Sequence, residues 1–390
     1  MTRLATAAAL LLAATPLRAQ QPAQAAPPTR DYRVFVGSEG DDRIQLVRFG
    51  PAGATVERQF RVGTNPTELL GPHGVGVAPD GRHYFVSTAH GTPNGALLKY
   101  TTAGDSLAGR VTLGAFPATL QVSPDGNWVY VVNFNLHGDM VPSSVSVVYA
   151  PDMAEVARIP TCTMPHGSRL SPDGTRHYSA CMMDDALVEI DARNLKVARW
   201  FSLAKGAERG MTGAPPRRTA AGGVASGHDM TSHTDHAGAP APVACSPTWA
   251  QPSPDGKRVW VACNKSNDLV EIDVASWTMT RRIPTGEGTY NLAVTRDGTL
   301  LVGTNKRGQS VSLIDVASGR ELARIPTARR VPSGVALSPD DRYAFVTVEG
   351  IGAQPGTVEI IDLRARQAVA RVDVGPQAGG IDVWTQPAVR

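Results

Sequence analysis

The chain has 390 residues, 42% of them hydrophobic and 19% charged, a balance that excludes both a disordered polymer and a bundle of membrane spans. Lys and Arg total 38 against 35 Asp and Glu, and the resulting +3 is too even for a nucleic-acid-binding surface or a polybasic membrane anchor. With 39 glycines and 30 prolines, the chain is expected to turn often around a real hydrophobic core.

The first element is an apolar run at residues 4–14 behind Arg3, too short for a spanning helix and read as a secretory signal peptide. Cleavage is expected after Ala19, or after Ala25 in Ala23-Gln24-Ala25, so residues 1–25 form signal and leader and the stretch to Thr29 is unstructured. The mature protein is therefore expected in the periplasm or secreted, where disulfides persist. Residues 31–36, 43–49 and 56–62 then read as three strands.

From there a turn signature, Ser/Ala-Pro-Asp-Gly or a near copy, recurs at Asp80, Asp125, Asp173, Asp255, Asp297 and Asp340, in steps of 45, 48, 82, 42 and 43 residues. Each turn joins an apolar run to a β-branched and aromatic run, such as 75–78 and 84–87, the pattern of a hairpin. A second hairpin follows every time. Its first strand alternates apolar and polar residues at 96–100, 144–149, 186–191, 268–273, 310–315 and 357–362, and its second reads like 155–160, 196–201, 279–284 and 321–326. Four antiparallel strands per unit of 40 to 45 residues predict β-propeller blades. Gly380-Ile381-Asp382-Val383-Trp384 has first-strand character with nothing after it, which supplies the strand missing from the N-terminal three. The predicted fold is all-β: a seven-bladed propeller over residues 31–385, closed by one blade shared between the termini.

The second strands Val129-Tyr130-Val131-Val132-Asn133, Val259-Trp260-Val261-Ala262-Cys263 and Leu300-Leu301-Val302-Gly303-Thr304-Asn305 resemble the YVTN repeat of bacterial seven-bladed propellers. The resemblance spans nearly all of residues 31–385. It implies the fold but leaves function open, because the family and its relatives include surface-layer proteins, lactonases and the haem-binding propellers of nitrite reductases.

In a blade, the start of the innermost strand and the end of the second strand meet at one mouth of the channel, the upper face, where several loops share a concavity. Four histidines fall there: His73 in Pro72-His73-Gly74, His90 in Ala89-His90-Gly91, His137 in Asn135-Leu136-His137-Gly138 and His166 in Pro165-His166-Gly167. His83 and His177 follow the Asp-Gly turns and belong to the opposite face. Convergent imidazoles would suit copper or zinc; alternatively each shapes a Pro-His-Gly turn and hydrogen-bonds a nearby carbonyl. The 82-residue step adds an insert at 205–244 rich in Gly, Ala, Pro, Ser and Thr, expected to overhang this mouth as a mobile loop. Within it His228, Met230, His233 and His236, with Asp229 and Asp235, form either a copper-favouring chelate or a polar linker that is His-rich by chance.

Cys162 and Cys181 stand 19 residues apart around one Asp-Gly turn, and Cys245 and Cys263 stand 18 apart around the next. Hairpin symmetry predicts disulfides between them, against a competing thiolate site of Cys181 with Met182 and Met183. The rest of the rim is expected to hold Glu39, Asn264, Tyr290, Asn291, Asn305, Lys306, Ser333 and Glu349, without a nucleophile elbow, phosphate loop or haem-attachment motif.

Three functions remain in competition. The first is a monomeric exported module binding a small ligand or protein partner at the upper face, with no nucleic acid and no membrane span. The second is a copper protein or oxidoreductase using the mouth histidines. The third is a lactonase-like hydrolase, which would need Glu39, Glu349, Asn264 and Asn305 to converge.

Overall fold

The computed structural model describes residues 25–63, 65, 67–91, 93–212 and 244–385. Among the described residues seven antiparallel sheets stand in a ring, six of four strands and one of five, with a single short 3-10 turn at Glu39–Asp41. Six sheets run in sequence order, at residues 72–112, 117–163, 165–211, 247–284, 289–326 and 332–374, and are called blades one to six. The seventh is the predicted shared blade. Strand Ala378–Val383 pairs with Tyr32–Ser38 through Val34 opposite Val383 and Val36 opposite Ile381, and Arg43–Gly50 and Gly53–Arg61 complete it.

The Asp-Gly turns work as read. Gly81, Gly126, Gly174, Gly256 and Gly298 have φ between 67° and 76°, a region where a Cβ is penalised. The sixth copy keeps the conformation with Asp341 at φ 54°. In five of the six turns the hydroxyl two residues before the first Asp donates to its carboxylate, as Ser171 does to Asp173 at 2.6 Å.

Burial follows strand order. Second strands such as Arg258–Cys263 are sealed on both faces, whereas outer strands such as Thr278–Pro284 alternate between core and solvent. The polar residues of the third strands do not all face water. Glu189 and Glu271 are buried and pair with outer-strand Arg199 and Arg281 at 2.7 and 2.8 Å. Seven apolar clusters each span one blade-to-blade interface, for example Phe35 and Ile44 with Tyr84 and Leu98 between the shared blade and blade one. The core is thus a ring of interfaces, with sheets packed face to face around an axis.

Both disulfides are present. Cys162–Cys181 has a Cα–Cα distance of 5.8 Å and ties the outer strand of blade two to blade three, and Cys245–Cys263, at 4.5 Å, fastens the chain where it enters blade four. No free cysteine is found among the described residues, so a thiolate site at Cys181 has no thiolate to use.

Two boundaries differ from expectation. At the start of the insert, Arg209–Met211 forms a fifth strand on the edge of blade three, where Gly210 lies opposite Phe201; a Cβ at Gly210 would press on Trp277. In the leader, the Ala26 carbonyl accepts from Arg342 at 2.9 Å and Arg30 pairs with Asp340 at 2.8 Å, so these residues are held on blade six. Residues 1–24 of the expected signal and leader, and the insert residues His228, Met230, His233 and His236, lie outside the described residues. No helix among the described residues is long and apolar enough to cross a membrane.

Candidate functional site

Two positions per blade build the upper mouth. One is the second residue of the inner strand: His73, Ala118, His166, Thr248, Tyr290, Ser333 and Gly379. The other directly follows the second strand: Glu39, Ala89, Phe134, Met182, Asn264, Lys306 and Glu349. The residue before each inner strand has positive φ, namely Gly71, Phe116, Met164, Ser246, Gly288, Val331 and Gln377. This left-handed turn aims the next residues at the axis. Glycine at the third inner-strand position lets neighbouring strands approach: a Cβ on Gly74 would sit 2.2 Å from the Ala118 carbonyl oxygen, and one on Gly167 2.3 Å from that of Thr248.

These strands enclose a cavity of about 230 Å³, lined among others by Glu39, His73, Phe116, His166, Tyr290, Lys306 and Glu349. Its polar groups form two assemblies. In the first, the Glu39 carboxylate accepts from His73 Nδ1 at 2.6 Å and from His90 Nε2 at 2.7 Å. Burial alone would raise the Glu39 pKa, but the two imidazoles outweigh it and hold the carboxyl well below its usual range. In return the hydrogen bond to Glu39 raises the His90 pKa against the opposing effect of burial, with Asp42 adding a smaller attraction.

The second assembly centres on His166, which is 2% exposed. Its Nδ1 lies 2.8 Å from the Thr248 carbonyl, which can only accept, so Nδ1 carries the proton and Nε2 is a bare acceptor. The Tyr290 hydroxyl donates to that Nε2 at 2.9 Å. Burial pushes the His166 pKa down to about 3, and the ring is neutral. The Lys306 ammonium lies 4.1 Å from the centroid of the Tyr290 ring and 2.7 Å from Glu349 Oε1. Burial would lower the Lys306 pKa, but Tyr290 and Glu349 outweigh it and raise it. Burial raises that of Tyr290, so its phenol stays a donor at neutral pH.

Of the expected rim, Glu39, Tyr290, Asn291, Lys306, Ser333 and Glu349 line the cavity, as do His73 and His166. Asn264 sits outside it, bonded to Arg307 at 2.7 Å. Asn305 is fully buried and donates to Ser310 and Ser312, holding the second and third strands together as Asn133 does with Ser144 and Ser146. Glu39, Glu349, Asn264 and Asn305 therefore do not share one wall.

The four histidines are not gathered at a point. Phe116 stands among three of them, its ring centroid 5.4 Å from that of His73, 6.2 Å from His90 and 5.3 Å from His137. His137 is exposed, and His166 belongs to the second assembly, as the carbonyl-bonding alternative expects. Among the described residues no group of three or more His, Cys, Asp or Glu is arranged to hold a metal ion. Phe116, with Ala89, Ala118, Phe134 and Met164, forms an apolar cluster where convergent imidazoles were one expectation. Phe116, Phe134, Arg169 and Trp249 are among the lining residues that sequence reasoning missed; aligning the blades would have found Phe116, one residue before Pro117.

No family model matches the chain, and no curated protein sequence matches it. Solved structures do. The periplasmic gluconolactonase of Pseudomonas aeruginosa is 21% identical with a TM-score of 0.66, covering 92% of this chain and 100% of its own. A functionally unknown protein from Desulfotomaculum acetoxidans is 13% identical with a TM-score of 0.65, over 91% and 99%. The hydrazine synthase of Kuenenia stuttgartiensis is 22% identical with a TM-score of 0.60, over 82% and 91%. At such identities the likeness is one of fold, the seven-bladed β-propeller.

Proposed function

We propose that this propeller is an exported binding module whose upper channel mouth takes a small polar molecule. The observation that carries the reading is the convergence of Glu39, His73, His166, Tyr290, Lys306 and Glu349, from five blades, on one cavity of about 230 Å³. Fixed donors and acceptors among the aromatic walls of Phe116, Phe134 and Trp249 are what a ligand site needs for orientation and for burial. The two disulfides support an oxidising compartment outside the cytoplasm. The test is a thermal-shift screen of small polar metabolites on the parent protein and on Lys306→Met and Tyr290→Phe. A true ligand raises the transition by mass action, and the substitutions weaken that shift. A screen without hits, or hits indifferent to both substitutions, refutes the reading.

One observation favours a hydrolytic second reading. Glu39 holds His73 through Nδ1, Nε2 has no protein partner among the described residues, and the ring lines the cavity. A carboxylate-oriented imidazole of this kind can take a proton from water attacking an ester or lactone carbonyl. Similarity in fold to a gluconolactonase makes δ-gluconolactone the first substrate to try. Hydrolysis no faster than background, or unchanged in His73→Gln, removes this reading and leaves binding intact.

A further inference from the structure

The cavity holds one cation that the two assemblies do not use. Arg169, on the inner strand Pro165–Leu170 of blade three, lines the cavity with its guanidinium 4.3 Å from the Trp249 ring centroid. Of its five N–H groups only one has an acceptor among the described residues, the neighbouring Ser168 carbonyl at 2.9 Å from Nη1. It makes no ion pair among the described residues. Asp382 attracts it electrostatically without an ion-pair contact, and the Asp382 oxygens accept from the Val77 and Val383 backbone N–H groups, each at 2.8 Å. Lys306, by contrast, is already matched by Glu349, and Glu39 by two imidazoles.

A guanidinium taken out of water without a partner is costly, and a planar fork stacked on an indole is held ready for a planar anion. Behind the lining, Trp249 Nε1 and Asn291 Oδ1 are buried polar atoms without partners among the described residues. From this we infer that Arg169 is the anchor for a carboxylate, and that the ligand of the upper mouth is a small monocarboxylate bearing hydroxyl groups. The inference rests on the binding reading above and names its ligand class. One cation without a contacting carboxylate favours a single negative charge over a phosphate dianion, and the free His73 Nε2 on the same lining suits a ligand hydroxyl.

Calorimetric titration at neutral pH with lactate, its uncharged counterpart propane-1,2-diol and inorganic phosphate tests this on the parent protein, Arg169→Met and Arg169→Lys. Lactate is expected to bind and the diol not. Arg169→Met should weaken lactate by about tenfold or more, and Arg169→Lys, which keeps the charge but loses the fork, should fall between. The comparison of lactate with the diol needs no variant, so it stands even if Arg169→Met folds poorly. Phosphate binding tighter than lactate, equal binding of the diol, undiminished binding in a folded Arg169→Met, or no lactate binding tighter than roughly 10 mM each overturns the assignment. Failure of lactate alongside neutral hits lost in Lys306→Met would sink only the carboxylate; loss of every hit would sink the binding site as well.

Discussion

Replacing Glu39 by Gln keeps the shape of the first assembly and removes its charge. The parent carboxylate, 19% exposed, receives two N–H groups at 2.6 and 2.7 Å from imidazoles 22% and 31% exposed. A hydrogen bond to a charged group contributes about 1.5–3 kcal/mol and a neutral one about half that; partial exposure places the loss at about 1–2 kcal/mol for the pair. The pH dependence has two limbs. Because the Glu39 pKa is depressed on folding, its contribution is present above the ordinary value of 4.5 and fades as pH falls. Because the His90 pKa is raised, its contribution is complete below 6.5 and fades as pH rises through the folded value. Parent and variant should therefore differ most between about pH 4.5 and 6.5, and the gap should narrow without closing at alkaline pH, where neutral imidazoles still donate to the carboxylate. Urea unfolding at several pH values reads the difference directly. Parallel stability curves, or a variant more stable in the acidic window, would refute the charge clamp.

Two further outcomes concern the frame. Replacing Cys245 and Cys263 together by Ser releases an 18-residue closure and should lower unfolding free energy by about 3 kcal/mol; an unchanged denaturation midpoint would show that the hairpin needs no staple. Val331, a β-branched residue at φ 70°, pays for its left-handed turn, and Val331→Gly should stabilise the fold by about 0.5–1 kcal/mol in the same assay once the greater freedom of unfolded glycine is deducted. A destabilised variant would mean that the side chain's own packing outweighs the strain.

The ring was legible in the sequence because its signals are local. An Asp-Gly turn needs only its own residues, and Gly81 through Gly298 adopt the positive φ that the dipeptide announces. The shared blade was legible because strand character at 31–36 and 380–384 left one strand missing at one end and one spare at the other. The disulfides followed from hairpin symmetry. Placement of the mouth residues was legible to the level of a face, and there it stopped. That Glu39 would clamp His73 and His90, while Phe116 filled the space among three imidazoles, depends on tilts of a few ångströms between blades remote in sequence. Asn305 ends a strand just as the rim residues begin, and only the hydroxyls of Ser310 and Ser312 beside it explain why it turns inward. Arg169 was invisible because a lone arginine in a strand looks like a surface residue until its neighbours are known.

The polar groups of the two mouth assemblies belong to none of the apolar clusters, and this has a consequence for how such a protein can change. Each cluster answers to two adjacent sheets, while the groups at the axis come from places where a strand is just starting or has just ended. Specificity can therefore be rewritten one letter at a time, with the masonry left standing. Descendants of one ancestor would keep the architecture yet share hardly any of the side chains that meet their cargo.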